Sequence, residues 1–244
     1  MVLPLYLALT AAEISAFSTI DFPFAYMACH FSPYTEGISN IPDFLPSGSL
    51  LILNDRLPCQ GHSADLVAGQ LADAAAQLNC ESILLDFQRP AEPESQSMVR
   101  KITSTLSCPV AVTESFAKGL DCPVFLSPAP LHLPLADYLL PWKGREIWLE
   151  AALCQEEIQL TKESMTCNSI FPTEQLRGGF YEKGLRCCYR TQILEDSIRF
   201  TLFDTPESLN QKLELAGELG VSRAVGLWQE LGTTGQTQKP LTFR

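Results

Sequence analysis

Asp86 and Gln88 stand two residues apart at the end of the apolar run Ile83 to Phe87, just before Arg89 and Pro90. A short unbroken run of this kind marks a strand buried on both faces, as in a parallel sheet. Side chains alternate along a strand, so Leu84, Asp86 and Gln88 share one face. A carboxylate and a carboxamide therefore project together from the carboxyl end of a buried strand, where α/β folds bind ligands. The same alternation places Trp148 and Glu150 on one face of a second strand end. Glu114 closes another strand, and Glu92 and Glu94 follow the Asp86 strand. A carboxyl in an apolar site keeps its proton to higher pH and can serve as an acid, and Glu150 is the best placed of these four. Plainer roles compete with each. Asp86 equally caps a strand end or pairs with Arg89, Gln88 can satisfy backbone groups at the strand end, and most exposed glutamates are simply solvated.

The elements that must position these groups follow one pattern. Strands are expected at Leu3 to Leu9, Phe24 to Phe31, Ser49 to Leu53, Ile83 to Phe87, Pro109 to Thr113, Pro123 to Leu126, Glu146 to Leu149 and Ala224 to Trp228. Helical signals fall between many of them. Thr10 and Glu13 have capping-box spacing, and Ser63 caps Ala64 to Leu78 with Leu66, Ala74 and Leu78 toward its apolar side. Ser95 to Leu106 is a third helix, Leu135 to Leu140 a short one, and Pro206 opens another that Gly220 stops. Eight short strands with crossovers predict an α/β fold, a TIM-like (β/α)8 barrel over residues 1–232. A doubly wound open sheet is the structural competitor. Residues 155–203 read as an irregular excursion after the seventh strand, with a hairpin of Arg186 to Ile193 and Ser197 to Phe203. Residues 233–244 read as a polar C-terminal tail.

Composition narrows the classes. The 244 residues are 46% hydrophobic and 18% charged, which suits a globular protein with a large core. A net charge of -11 argues against nucleic acid and anionic membrane as partners, because phosphate would be repelled. No basic segment precedes the apolar start and Glu13 follows soon after, so no signal peptide is expected. No run approaches about 20 apolar residues, so no membrane span is expected. Nine cysteines without a framework spacing point to reduced, buried thiols in the cytoplasm. No metal or cofactor is expected. Cys59 and His62, with Cys29 or His30 nearby, make half a zinc pattern without a second half. Cys187 and Cys188 point to opposite faces of a strand. Gly232 to Gly235 lacks the following helix that would help hold phosphate. Oligomeric state is not written in these residues.

The stretch Cys80 to Gln88 resembles the fourth-strand signature of family 18 glycoside hydrolases, Asp-Gly-x-Asp-x-Asp-x-Glu. Glu81 falls on the first Asp, Ser82 on the Gly, Leu84 on the second Asp, Asp86 on the third and Gln88 on the catalytic Glu. Three more stretches resemble the spore-cortex peptidoglycan N-acetylglucosaminidases of that family in the same order. Phe31 to Gly37 resembles their second-strand loop. Tyr189 to Ser208 resembles their late hairpin and the Asp and Ser that open the next helix. Lys212 with Gly220 to Leu231 resembles their final helix and strand, with Trp228 on the tryptophan that floors the sugar site. Together these stretches span most of residues 24–231.

The resemblance implies substrate-assisted chemistry, in which the sugar's acetamide oxygen attacks, the Glu protonates the leaving oxygen and the third Asp orients the acetamide. The departures matter. Gln88 has no proton to give near neutral pH, and loss of a positioned general acid costs about 10²–10⁴-fold in rate. Leu84 removes the carboxylate that would share a proton with Asp86, and Ser127-Pro128 replaces the Tyr and Asp usual after the sixth strand. The expectation is a barrel that binds a GlcNAc-containing oligosaccharide, chitin-like or from peptidoglycan, with weak or no hydrolysis. Asp86, Gln88, Tyr26, Glu114 and Trp228 would hold it. A glycosidase with a relocated acid, Glu150 first, is the second reading, and a non-catalytic interaction scaffold is the third. The resemblance also associates the chain with spore-forming bacteria.

Overall fold

Eight parallel strands close on themselves. In the computed structural model, which describes residues 3–16, 22–170, 176 and 178–232, they run Leu5–Leu9, Phe24–Phe31, Leu50–Asn54, Ser82–Asp86, Val110–Thr113, Val124–Leu126, Ile147–Ala151 and Val221–Leu227. Each pairs with its neighbour in order. The first pairs with both the second and the eighth, which removes any open edge and excludes the doubly wound sheet. A two-residue strand, Ile38–Ser39, adds antiparallel to the second.

Alternation along each strand divides the core into two layers. Leu50, Ile52, Leu84 and Trp148 point into the barrel, where they pack with Tyr6, Ala25, Ala111 and Phe125. Leu51, Leu53, Ile83 and Leu85 point outward onto the helices. Arg223 plugs the amino end of the barrel. One guanidinium nitrogen lies 2.7 Å from the Glu81 carboxylate, another donates to Ser82 Oγ at 2.6 Å, and the group sits 4.8 Å from the Trp148 ring centroid. Tyr6 donates its hydroxyl proton to the same Glu81 at 2.9 Å. The residue that aligns with the first signature Asp is therefore part of the floor, far along the strand from Asp86.

The helices form where the caps predict. Glu13 accepts from the Thr10 backbone N–H at 2.7 Å, which starts Ala11–Ala16. Ser63 accepts from the Leu66 N–H and opens Ala64–Gln77. That helix buries Val67, Ala68, Leu71 and Ala74, so Leu66, expected toward the apolar side, is instead 43% exposed. The inward stripe at 67, 71, 74 and 78 lies one residue further along, 100° around the helix. Pro93–Thr105 begins earlier than Ser95, with Pro93 in its first turn. Leu135–Leu139 is the short helix before the seventh strand, and Pro206–Glu218 is capped by Thr205 and Ser208. The fifth and sixth strands are joined by a single 3₁₀ turn, Glu114–Phe116, which accounts for the uneven helical signal.

The excursion after the seventh strand is more ordered than its sequence indicates. The hairpin of Cys187–Ile193 and Ser197–Phe203 lies within a five-stranded antiparallel sheet. Gln155–Thr161, Met165–Ile170 and Phe180–Glu182 complete it. Met165–Ile170 is an edge strand with five of its six residues exposed, so it carries little hydrophobic alternation to read. The tail expected at 233–244, and with it Thr233 to Gly235, lies outside the described residues. Among the described residues, no helix is long and apolar enough to cross a membrane.

Candidate functional site

A cavity of about 500 Å³ opens at the carboxyl end of the barrel strands. Asp86, Gln88 and Glu150 all line it, so the alternation along the fourth and seventh strands delivers the three polar groups to one place. Below them the wall is apolar, with Leu84, Ile52, Phe125 and Val225.

Gln88 Nε2 donates to Asp86 Oδ1. The carboxylate is thus already engaged by the neighbouring carboxamide. Gln88 is also fixed through its backbone, because its N–H donates to Asp55 Oδ1 at 2.9 Å. The other oxygen, Asp55 Oδ2, accepts from the Arg89 N–H at 2.8 Å. Arg89 turns away from Asp86. Its Nε donates to the Asp55 carbonyl at 2.8 Å and its terminal nitrogen to the Arg56 carbonyl at 3.0 Å, so it seals the rim between the third and fourth strands.

Asp55 and Asn54 are the site residues that the sequence reading passed over. Both line the cavity. Asn54 Nδ2 donates to the Met27 and Cys29 carbonyls at 3.0 and 2.9 Å. That bridges the irregular register of the second strand between Tyr26 and Cys29. A signal was present, since Asn54 follows Leu50 and Ile52 at the same two-residue interval that singled out Asp86.

The remaining candidates lie elsewhere. Tyr26 is 3% exposed and packs in the layer between strands and helices, while its neighbour Met27 lines the cavity. Glu114 is exposed at the start of its 3₁₀ turn, outside the cavity wall. The eighth strand ends at Leu227, and Trp228 opens the short helix Trp228–Leu231. Its ring stacks on Phe22 with centroids 5.4 Å apart and planes within 2°, and it packs against the outer core. Leu227, not Trp228, lines the cavity. Cys59 and His62 do not converge with another ligand among the described residues. His62 Nε2 lies 2.9 Å from the Ser32 carbonyl instead.

Burial governs the acidity of the site. It pushes Asp86 up from the ordinary carboxylate range, against the Gln88 hydrogen bond that lowers it, and Asp55 adds a further upward push. Burial likewise raises Glu150 to about 7, helped by the negative charges of Asp86 and Glu230. The Tyr138 hydroxyl, which donates to the Ser127 carbonyl at 2.9 Å, is raised to about 12, first by burial and then by Glu114 and Glu150. At neutral pH a half-buried carboxyl at position 150 therefore still holds a proton in a large fraction of molecules.

This shift has a stability consequence. The native state keeps the Glu150 proton to about pH 7, whereas the unfolded chain releases it near 4.5. Between those values the native state binds more protons, so stability falls as pH rises. A displacement of this size corresponds to about 3 kcal/mol. In Glu150→Gln the decline between pH 5 and pH 8 is expected to shrink by about 2–3 kcal/mol, because part of the change lies below pH 5. Urea melts at both pH values check this, and an unchanged pH slope in the variant would remove the assignment.

The fold, a (β/α)8 barrel with its cavity at the carboxyl ends of the strands, is similar to that of solved chitinases and N-acetylglucosaminidases, family 18 glycoside hydrolases among them. It matches a glutamate-to-glutamine mutant of the class V chitinase from Nicotiana tobaccum in complex with NAG4, with a TM-score of 0.58, 10% identity and 93% of each chain covered. It matches the family 18 N-acetylglucosaminidase from Paenibacillus barengoltzii with a TM-score of 0.57, 9% identity, and 92% of this chain and 94% of that one covered. The spore cortex-lytic enzyme SleL from Bacillus megaterium matches with a TM-score of 0.53 and 11% identity over 93% of this chain and 70% of its own. By sequence, no protein-family model and no curated protein matches.

Proposed function

We propose that the cavity binds a GlcNAc-containing oligosaccharide, of chitin or peptidoglycan type, with little or no hydrolysis. The observation that carries this reading is the Gln88–Asp86 hydrogen bond at the cavity mouth. It keeps a polar pair suited to an acetamide and puts no proton donor at the acid position. A cavity of about 500 Å³ is within the range of small-molecule sites, which favours a ligand over a pure scaffold. The structural neighbours from Nicotiana tobaccum and Paenibacillus barengoltzii add support, the one in complex with NAG4 and the other named an N-acetylglucosaminidase.

Calorimetry with chitotetraose and with a muropeptide pool tests the proposal. The intact protein is expected to bind one of them, and Asp86→Ala to bind it about 10–100-fold more weakly, the worth of a hydrogen bond to a charged group. Trp228→Ala is expected to change the affinity little, because that ring stacks on Phe22 outside the wall. No binding at millimolar ligand would leave the barrel as an interaction scaffold.

Glu150 favours a second reading. It faces the same cavity and holds its proton to about pH 7, as a general acid must. On that reading the protein turns over an aryl N-acetylglucosaminide slowly, and Glu150→Gln abolishes the turnover. Residual turnover equal in protein and variant would take Glu150 out of the chemistry.

A further inference from the structure

The accessory sheet carries a cluster unrelated to the barrel cavity. We propose that His132, Glu156 and Cys167 form a binding site for a thiophilic divalent cation such as zinc. Their ligand atoms, His132 Nδ1, Glu156 Oε2 and Cys167 Sγ, all lie within 4.8 Å of one another. The sheet register brings two of them together. Glu156 pairs directly with Ser169, and Cys167, two residues from Ser169, shares its face on the diagonal. His132 comes from the loop after the sixth barrel strand, next to Leu131, which packs with Cys187 and Leu202 beneath the sheet.

The geometry is that of a ligand set rather than a proton relay. In a Cys-His-acid relay the thiol and the carboxylate take opposite imidazole nitrogens. Here both approach the same one. Nδ1 lies 2.8 Å from Glu156 Oε2 and 3.4 Å from Cys167 Sγ, and the Sγ to Oε2 distance is 3.8 Å. Tetrahedral zinc with ordinary Zn–S, Zn–N and Zn–O bonds separates such atoms by roughly 3.3–3.6 Å. Small side-chain movements bring all three to that spacing.

Glu156 gives an independent reason. It is 4% exposed, yet its carboxylate has no lysine or arginine partner among the described residues. Its partners there are His132, through Nδ1 and the backbone N–H, and Cys167. The one basic group facing this carboxylate is the His132 imidazole, 2.8 Å away, and a divalent cation held by carboxylate, imidazole and thiol together would neutralise it without requiring a protonated ring. One nitrogen, one oxygen and one sulfur suit zinc and leave a fourth position toward solvent, because His132 and Cys167 are exposed. The bound ion would tie the loop after the sixth strand to two strands of the accessory sheet.

The full-length protein, reduced and stripped with EDTA, is titrated with cobalt(II) and, separately, with zinc. One equivalent of cobalt is expected to produce a near-ultraviolet thiolate-to-cobalt charge-transfer band. Zinc is expected to raise the melting temperature. Cys167→Ser should lose both effects and bind zinc about 100-fold or more weakly, since even outer-shell changes at metal sites cost 10–100-fold. Cys167 lies on the exposed edge strand, so its serine variant should fold, and a circular-dichroism melt verifies this. His132→Ala is expected to behave alike, and Cys122→Ser to behave as the unsubstituted protein. Absence of the band, or a band that survives in Cys167→Ser, overturns the proposal.

Discussion

Replacing Gln88 by glutamate is expected to raise the hydrolysis of chitotetraose or an aryl N-acetylglucosaminide by about 10²-fold over the unsubstituted protein. A positioned general acid contributes about 10²–10⁴-fold, and the lower end applies because Leu84 and Ser127 stay as they are. Gln88 already sits within hydrogen-bond reach of Asp86, and Asp55 holds its backbone, so a glutamate should take the same place. Two carboxyls there share one proton, which raises one of them into the range of a working acid. The added activity should fall as pH rises past that upper value, because the acid is then lost. It should also vanish in Gln88→Glu combined with Asp86→Asn, which separates it from a contaminant. A rate that does not move would mean that the cavity no longer presents a sugar to Asp86, even if it binds one.

Lys212→Met is expected to destabilise the protein by about 3–5 kcal/mol, the cost of leaving a buried charge unpaired. Lys212 Nζ donates to both oxygens of Asp204 at 2.9 Å, and the two residues are only 7% and 4% exposed. Burial raises the Asp204 pKa and Lys212 brings it down, and Ser208 Oγ donates a further bond at 3.1 Å. The Asp204 N–H donates to the Cys154 carbonyl at 2.9 Å, so the network ties the start of the accessory sheet to the helix before the eighth strand. A melting temperature lower by roughly 10 °C corresponds to this loss in a chain of this size. Replacing both partners, Asp204→Leu with Lys212→Met, should recover much of it, because no buried charge is then orphaned. If the double variant is no more stable than Lys212→Met, the loss comes from packing by the lysine stem and not from the charge.

Much of the barrel can be read directly from the chain, because the signals that define it are local. Alternation within five residues puts Leu84, Asp86 and Gln88 on one face and Trp148 and Glu150 on another, and the cavity receives all three polar groups. Capping signals start the helices at Thr10 and Ser63, and Pro206 marks the first turn of the helix before the eighth strand. The order of strands and crossovers follows from these. Three kinds of feature depend on tertiary structure alone. The orientation of Tyr26 and Trp228 is one. Tyr26 falls in the outer layer where its strand's register is irregular, and Trp228 turns into a helix one residue after the strand stops. Another is long-range polar pairing, by ion pair or by hydrogen bond to the backbone. Arg223 with Glu81 seals the floor, and Asp55 with Gln88 and Arg89 braces the rim, each across a separation that no local pattern encodes. The third is the accessory sheet, whose exposed strands have little hydrophobic alternation, and the His132, Glu156 and Cys167 cluster that its register assembles. Chain-local periodicity decides which face a residue takes. Only the closed barrel and the paired strands decide which faces meet.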